Sequence, residues 1–297
     1  MISTKGIILA GGSGTRLYPA SLILSKQLQL VYDKPMIYYP LSTLMLSGIR
    51  EILIISTERD IPFFQKLLGD GSHLGLFIQY DIQKKPRGIA EAFIIGESFI
   101  NGNQVSLILG DNILYGKLDF FRNSLNDNDG ASIFGYEVNN PEEFGVVELS
   151  KDGKILSIEE KPRMPKSNLA ITGLYVFDHN VVTYAKALKP SKRGELEITD
   201  IQRIYLEENK LSCRVMGRGI AWLDTGTPEN LLEAGMFIHS IEKRQGRKIA
   251  CLEEIALFNG FVSIQDYEDN LKKIPECNYK KYCKMVLKEF KELKNLA

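Results

Sequence analysis

Lys5-Gly6-Ile7-Ile8-Leu9-Ala10-Gly11-Gly12-Ser13-Gly14-Thr15-Arg16-Leu17 decides the fold. A short, almost unbroken apolar run leads directly into three glycines, which reads as a buried strand emptying into a loop. Without a Cβ in the way, backbone N–H groups of such a loop can close on an anion. A plain tight turn would use the same glycines; Arg16 tips the reading toward phosphate, because a guanidinium forks onto phosphate oxygens. Two other glycine motifs fail. Leu17 stands where the dinucleotide fingerprint, counted from Gly12, needs its third glycine, and the loop ends in Thr15-Arg16 rather than the Lys-Ser/Thr of a P-loop.

Outward from this loop, strand and helix alternate. Helices are expected over 36–47, 61–68 and 89–99, and strands over 51–56, 76–83 and 105–109. This spacing predicts an α/β protein with a mostly parallel, Rossmann-like sheet flanked by helices. The second half reads as strands over 131–137, 145–149, 155–160, 170–177, 212–216 and 221–224, with helices over 180–188, 197–208 and 228–247. Asp152-Gly153 is a hairpin signal. From Cys251 the pattern is helical and charged, so a catalytic unit over 1–247 and a helical C-terminal region over 248–297 are expected.

The chain has 297 residues, 44% of them apolar, and equal numbers (37 each) of basic and acidic side chains. No basic excess points to nucleic acid, no apolar run is long enough for a bilayer, and no signal-peptide core opens the chain. A cytoplasmic location is expected. Cys213, Cys251, Cys277 and Cys283 form no C-x-x-C pair, so free thiols are expected rather than a zinc site or a disulfide framework. His73, His179 and His239 are scattered and read as filler.

Further segments could carry chemistry. Lys26, ten residues beyond Arg16, is a second cation for a triphosphate. Asp111 ends the apolar run Leu107-Ile108-Leu109 and Asp224 ends Ala221-Trp222-Leu223, both where an open sheet gathers ligands. Each could be only a turn residue, but together they offer the one or two carboxylates that Mg2+ takes. Glu160-Lys161 and Arg193 could hold a sugar and a second phosphate, or lie on the surface.

In this order the motifs resemble the sugar nucleotidyltransferase family: a G-x-G-T-R-L loop, a downstream lysine, a strand-end Asp, Glu-Lys-Pro and a late Asp-Thr-Gly. Ser25-Lys26-Gln27-Leu28, Gly194-Glu195-Leu196-Glu197-Ile198-Thr199-Asp200 and Trp222-Leu223-Asp224-Thr225-Gly226-Thr227 resemble its thymidylyl-transferring branch; uridylyl- and adenylyl-transferring relatives usually carry Pro-Lys at 25–26. The resemblance implies dTTP and α-D-glucose 1-phosphate as substrates, dTDP-glucose and pyrophosphate as products, and a sheet with an inserted sugar-binding subdomain. Gly11, Ser13, Gly14, Thr15 and Arg16 would wrap the triphosphate beside Lys26, and Gln83 and Gly88 would read the base with Gln27 nearby. Asp111 and Asp224 would hold Mg2+, with Asn112 in the substrate set. Gly145, Glu160, Lys161, Ile171 and Arg193 would hold the sugar phosphate. It also implies a homotetramer and feedback inhibition by dTDP-L-rhamnose, with the C-terminal helices at the subunit interface. A UTP-dependent transferase and a non-catalytic nucleotide-sugar sensor are the competing readings. Leu30 for Pro, the basic Lys84-Lys85-Pro86-Arg87 and Phe144 for Tyr depart from the family pattern.

Overall fold

The computed structural model describes residues 4–12 and 14–296. In chain order its elements are β1 (Thr4–Leu9), β2 (Leu30–Val31), β3 (Lys34–Pro35), α1 (Tyr38–Leu46), β4 (Glu51–Ser56), α2 (Ile61–Leu68) and β5 (Phe77–Ile82). Next come α3 (Glu91–Ile95), α4 (Glu97–Ile100), β6 (Gln104–Leu109), β7 (Asn112–Tyr115), α5 (Asp119–Asp127), β8 (Ala131–Glu137), β9 (Gly145–Leu149) and β10 (Ile155–Glu160). The remainder is β11 (Leu169–Phe177), α6 (Val181–Ala187), α7 (Ile198–Glu207), β12 (Leu211–Val215), β13 (Ala221–Asp224), α8 (Pro228–Gln245), α9 (Leu252–Phe258), α10 (Ile264–Lys273) and α11 (Asn278–Leu296).

One nine-stranded sheet organises the chain, with the path β10-β9-β11-β6-β1-β4-β5 and with β8 and β12 joined beside β11. The β6-β1-β4-β5 part is parallel. The inner strands, β4 and β6 among them, are apolar on both faces because helices cover both, and so read as continuous runs; the edge strand β5 alternates. β11 runs antiparallel to β6, β8 and β9, so β8 to β12 extend the same sheet, while β13 pairs apart from it with β7. All nine residues of β11 are buried, as befits the strand at this junction.

The expected helix over 89–99 is two short helices, α3 and α4, meeting at Gly96. A Cβ there would come within 3.0 Å of the Ala92 carbonyl and 3.1 Å of Ile7 and Leu53, so the break lets the chain approach the sheet. β7 and α5 were hidden in sequence: β7 follows β6 after a single turn, and α5 opens beside Leu118 with no side-chain cap. Toward the C-terminus, α9 packs on α1, and α10 and α11 close over it in a satellite core of Cys251, Leu257, Tyr267, Leu271, Cys283 and Val286. No helix among the described residues is long and apolar enough to cross a membrane.

Candidate active site

β1 lies between β4 and β6, so the connections after β1 and β6 leave on opposite sides and open a crevice at the carboxyl ends of the strands. That switch point is where open α/β sheets gather ligands. A cavity of about 370 Å3 opens there. Gly11, Arg16, Lys26, Gln27, Gln83 and Gly88 line one side, and Asp111, Asn112 and Asp224 the floor. Gly145, Glu160, Lys161, Ile171 and Arg193 line the other side. Thr15 instead lines an adjoining depression with Ser21 and Arg59, continuous with the cavity through Gly12. Gly14 forms the turn itself, at φ 58°, where its carbonyl accepts the Leu17 N–H at 2.9 Å. Ser13 lies outside the described residues.

The floor is built by the small ribbon of β7 and β13, whose register puts Asp224 opposite Asn112. Thr225 donates its N–H (3.2 Å) and hydroxyl (2.8 Å) to the Asp111 carbonyl, locking the two acid-bearing turns together. Gly226 makes room for Arg16: a Cβ there would lie 2.7 Å from its Nη2. Lys26 Nζ contacts Asp111 Oδ2. Burial, and then the neighbouring Asp111 carboxylate, push the Asp224 carboxyl up from its ordinary range; Lys26 and Arg16 pull it part of the way back. Asp224 Oδ1 is buried without a hydrogen-bond partner. Two carboxylates that repel each other, one with an orphaned oxygen, fit a hard divalent cation, which would supply the missing positive charge.

Asn112 serves this floor from within the protein. Its Oδ1 accepts from Gly173 N–H at 3.0 Å and Trp222 Nε1–H at 2.6 Å, and its Nδ2 donates to Asp111 Oδ1 at 3.1 Å. Only one amide hydrogen is left for any ligand.

On the first side, Gln83 Nε2 donates to Glu91 Oε2 (2.9 Å) and the Gly88 carbonyl (3.3 Å). Gly11 passes so close that a Cβ would lie 2.7 Å from Gln83 Oε1. Buried Gln27 accepts from the Ser25 hydroxyl at 2.5 Å. On the far side, burial and then Glu197 raise the Glu160 carboxyl. Burial would also raise Glu197, but hydrogen bonds from Arg193 and Ser191 outweigh it and lower the group. Arg193 grips Glu197 with two nitrogens, at 2.8 and 3.1 Å. Lys161 holds a left-handed backbone at φ 43°, its N–H on the Phe144 carbonyl at 3.0 Å. The two sides are stitched by Leu196, whose N–H donates to Arg87 at 2.7 Å and whose carbonyl accepts from Ala90 at 3.3 Å.

Tyr175 and Gly173 also line the cavity and were not singled out in sequence, because both sit inside the uniformly apolar β11. Glu91, which orients Gln83, carries no motif. Phe144 packs edge-on against Trp222, ring centroids 5.2 Å apart, so its ring is a wall beside the sugar side.

Residues 5–241 match the family described as Nucleotidyl transferase. The chain is 55% identical over 280 residues to a glucose-1-phosphate thymidylyltransferase of Neisseria gonorrhoeae, covering 94% of this chain and 97% of that one. It is 49% identical over 279 residues to the enzyme of the same name from Mycobacterium tuberculosis, covering 94% of this chain and 97% of that one. A Bacillus anthracis structure with bound sucrose, described as a glucose-1-phosphate thymidylyltransferase, superposes with a TM-score of 0.75 at 39% identity, over 79% of this chain and 95% of that one. A UDP-glucose pyrophosphorylase complexed with UDP-glucose shares the fold, with a TM-score of 0.72 at 22% identity over 82% of this chain and 100% of that one.

Proposed function

The chain belongs to the nucleotidyl transferase family, and from that membership and its half-identical relatives we propose that it is a glucose-1-phosphate thymidylyltransferase. It transfers a thymidylyl group from dTTP to α-D-glucose 1-phosphate, giving dTDP-glucose and pyrophosphate. The observation that carries this is the single cavity holding four cationic side chains, two on each side of a two-carboxylate floor. A reaction between two phosphate-bearing anions needs that arrangement. The UTP reading is not favoured, since the uridylyl enzyme shares the fold at only 22% identity. A sensor would have no use for Arg16, Lys26, Asp111 and Asp224 together.

The nucleophile is a phosphate oxygen of the sugar phosphate, already largely ionised at neutral pH with a second pKa of about 6. No general base is required, and none of the three histidines lines the cavity. Arg16 and Lys26 bind the triphosphate at the β1 loop; Gln83 and the Gly88 backbone receive the base. Glu160 accepts from sugar hydroxyls, while Lys161 and Arg193 hold the attacking phosphate in line with the α-phosphorus. Arg193 must trade part of its grip on Glu197 for that phosphate, so sugar binding remodels this pair. Catalysis comes from alignment and charge neutralisation. The family's divalent metal, which we assign as Mg2+ on Asp111 and Asp224, supplies charge stabilisation of the phosphoryl oxygens when bound.

We assign 1–247 to the catalytic unit and 248–297 to a region that caps it, a cytoplasmic location, and a homotetramer. Tyr18, Ile23, Leu30, Leu232 and Met236 are exposed around one apolar groove between the 17–32 segment and α8, which supports self-association there as well as through the C-terminal helices. Feedback inhibition by dTDP-L-rhamnose is assigned to a second cavity, of about 610 Å3, where Arg247, Lys248 and Glu254 face Tyr115 and Lys117. The test of the function is pyrophosphate release across every nucleoside triphosphate paired with several sugar 1-phosphates. Best turnover with a pair other than dTTP and glucose 1-phosphate would overturn it.

A further inference from the structure

Cys251 and Cys283, remote in sequence and read there as unpaired thiols, meet in the C-terminal core with their sulfurs 3.9 Å apart. The Glu253 carboxylate joins them: its Oε2 is 3.8 Å from Cys251 Sγ, and the three ligand atoms lie within 4.8 Å of one another. Tetrahedral zinc, with Zn–S of about 2.3 Å and Zn–O of about 2.0 Å, has an S–S edge of about 3.8 Å and an S–O edge of about 3.5 Å. The two measured edges match, and rotation of the Glu253 side chain closes the third. A disulfide would need the sulfurs to approach to about 2.05 Å, a larger change inside a close-packed core.

We propose that Cys251, Glu253 and Cys283 form a binding site for a thiophilic divalent cation of the zinc class, separate from the catalytic floor. The outer shell is in place. Tyr279 donates its hydroxyl to Glu253 Oε2, which fixes the carboxylate, as second-shell partners of metal ligands do. Lys248, 6.0 Å from the Tyr279 ring centroid, is already paired with Asp33 and Glu242, so the ion itself must offset the negative charge of two thiolates and a carboxylate. Cys251 lies against the wall of the 610 Å3 cavity, but it is 1% exposed and Cys283 is fully buried, so entry requires that wall to open; water from the cavity then takes the fourth position. Mg2+ does not compete, since thiolates select softer ions. Bound there, the ion ties the start of α9 to α11, and so clamps the C-terminal helices on the catalytic unit.

The test is Co2+ substitution of the full-length protein, with thiols kept reduced by a phosphine. Expected is near-ultraviolet sulfur-to-cobalt charge-transfer absorption that saturates at a single equivalent and is displaced by Zn2+. Cobalt on Asp111 and Asp224 cannot imitate it, as no cysteine lines that cavity and the Met36 thioether nearby gives no thiolate band. Cys283→Ser should abolish the band, and Glu253→Gln, which keeps both thiols, should weaken Zn2+ affinity at least tenfold in chelator competition. Absence of the band in the wild-type protein, or its survival in Cys283→Ser, overturns the site. Unchanged Zn2+ affinity in Glu253→Gln also overturns the three-ligand assignment, and that variant decides the matter if Cys283→Ser does not fold.

Discussion

Replacing Asn112 by Leu removes an acceptor that serves two buried donors at once. The Gly173 N–H, at 3.0 Å, and the Trp222 indole N–H, at 2.6 Å, both point at Asn112 Oδ1, and leucine fills a similar volume while accepting neither. A buried donor left unmade costs about 1–3 kcal/mol, so two cost about 2–6 kcal/mol. With an m-value of about 3 kcal/mol/M, the middle of that range lowers the urea midpoint by more than about 1 M. Trp222 is the protein's single tryptophan, so its fluorescence reports unfolding at the perturbed spot itself. Activity should fall as well, because Asp111 Oδ1 loses the amide that orients it at 3.1 Å. Asn112→Asp keeps both acceptors and should restore stability better than it restores turnover, since it sets a third carboxylate on the floor. If Asn112→Leu unfolds within about 0.5 kcal/mol of wild type, the residue is not a structural hub. The remaining amide hydrogen would then be its only role.

Asp111→Asn and Asp224→Asn should each lower kcat about 100- to 1000-fold with the circular dichroism spectrum unchanged. Asp224→Asn should also raise the melting temperature of the metal-free protein, because burial and Asp111 make its charge costly. Steady-state kinetics should separate Lys26→Ala, which raises KM for dTTP, from Lys161→Ala, which raises KM for glucose 1-phosphate; two variants that touch only the nucleotide would refute the division. The folded-state pKa of Glu160 is raised, chiefly by burial and then by Glu197, so its ionisation destabilises the fold as pH rises past the ordinary carboxylate range. Glu160→Gln should therefore be the more stable protein at neutral pH, and the difference should vanish in denaturation curves below the unfolded pKa of about 4.3. Leu232→Glu, on the exposed apolar groove, should reduce the mass seen by light scattering without changing the fold, and an unaltered mass would place the subunit contact elsewhere.

The parallel half of the fold was legible because its inner strands are buried on both faces: strand Glu51–Ser56, and the helix Ile61–Leu68 that follows it, have the boundaries their composition suggests. The floor was legible for the same reason, since a carboxylate closing an apolar strand has little structural use there. What sequence could not show is non-local. That β7 pairs with β13, and so joins Asp111 to Asp224, rests on contacts more than a hundred residues apart. Asn112 reads as a ligand contact from its place beside Asp111, yet most of its hydrogen-bonding capacity is committed to the protein. Glu91 has no motif, because orienting a glutamine requires only position. The two cysteines carry no spacing signal; α9 and α11 bring them together by packing.

A chain with no net charge has thus sorted its charges locally. The two floor carboxylates cannot both ionise comfortably without a counter-charge, and Lys26 on Asp111 together with Arg16 near Asp224 offsets the cost only in part. On the proposed roles, a triphosphate at Arg16 and Lys26 would draw those cations toward its own oxygens and leave Asp111 and Asp224 less neutralised. Those carboxylates would then gain affinity for a divalent cation as the nucleotide binds, and the cation would in turn favour the nucleotide, since linkage between two ligands is reciprocal. On the far side, Arg193 is held by Glu197 and backed by Glu195 and Glu160, so it stays charged and ordered before the sugar phosphate arrives. In the empty pocket the sugar-side arginine is therefore already ordered, whereas the two floor carboxylates lack part of their counter-charge. On that reading the metal and dTTP would enter together and the sugar phosphate would follow.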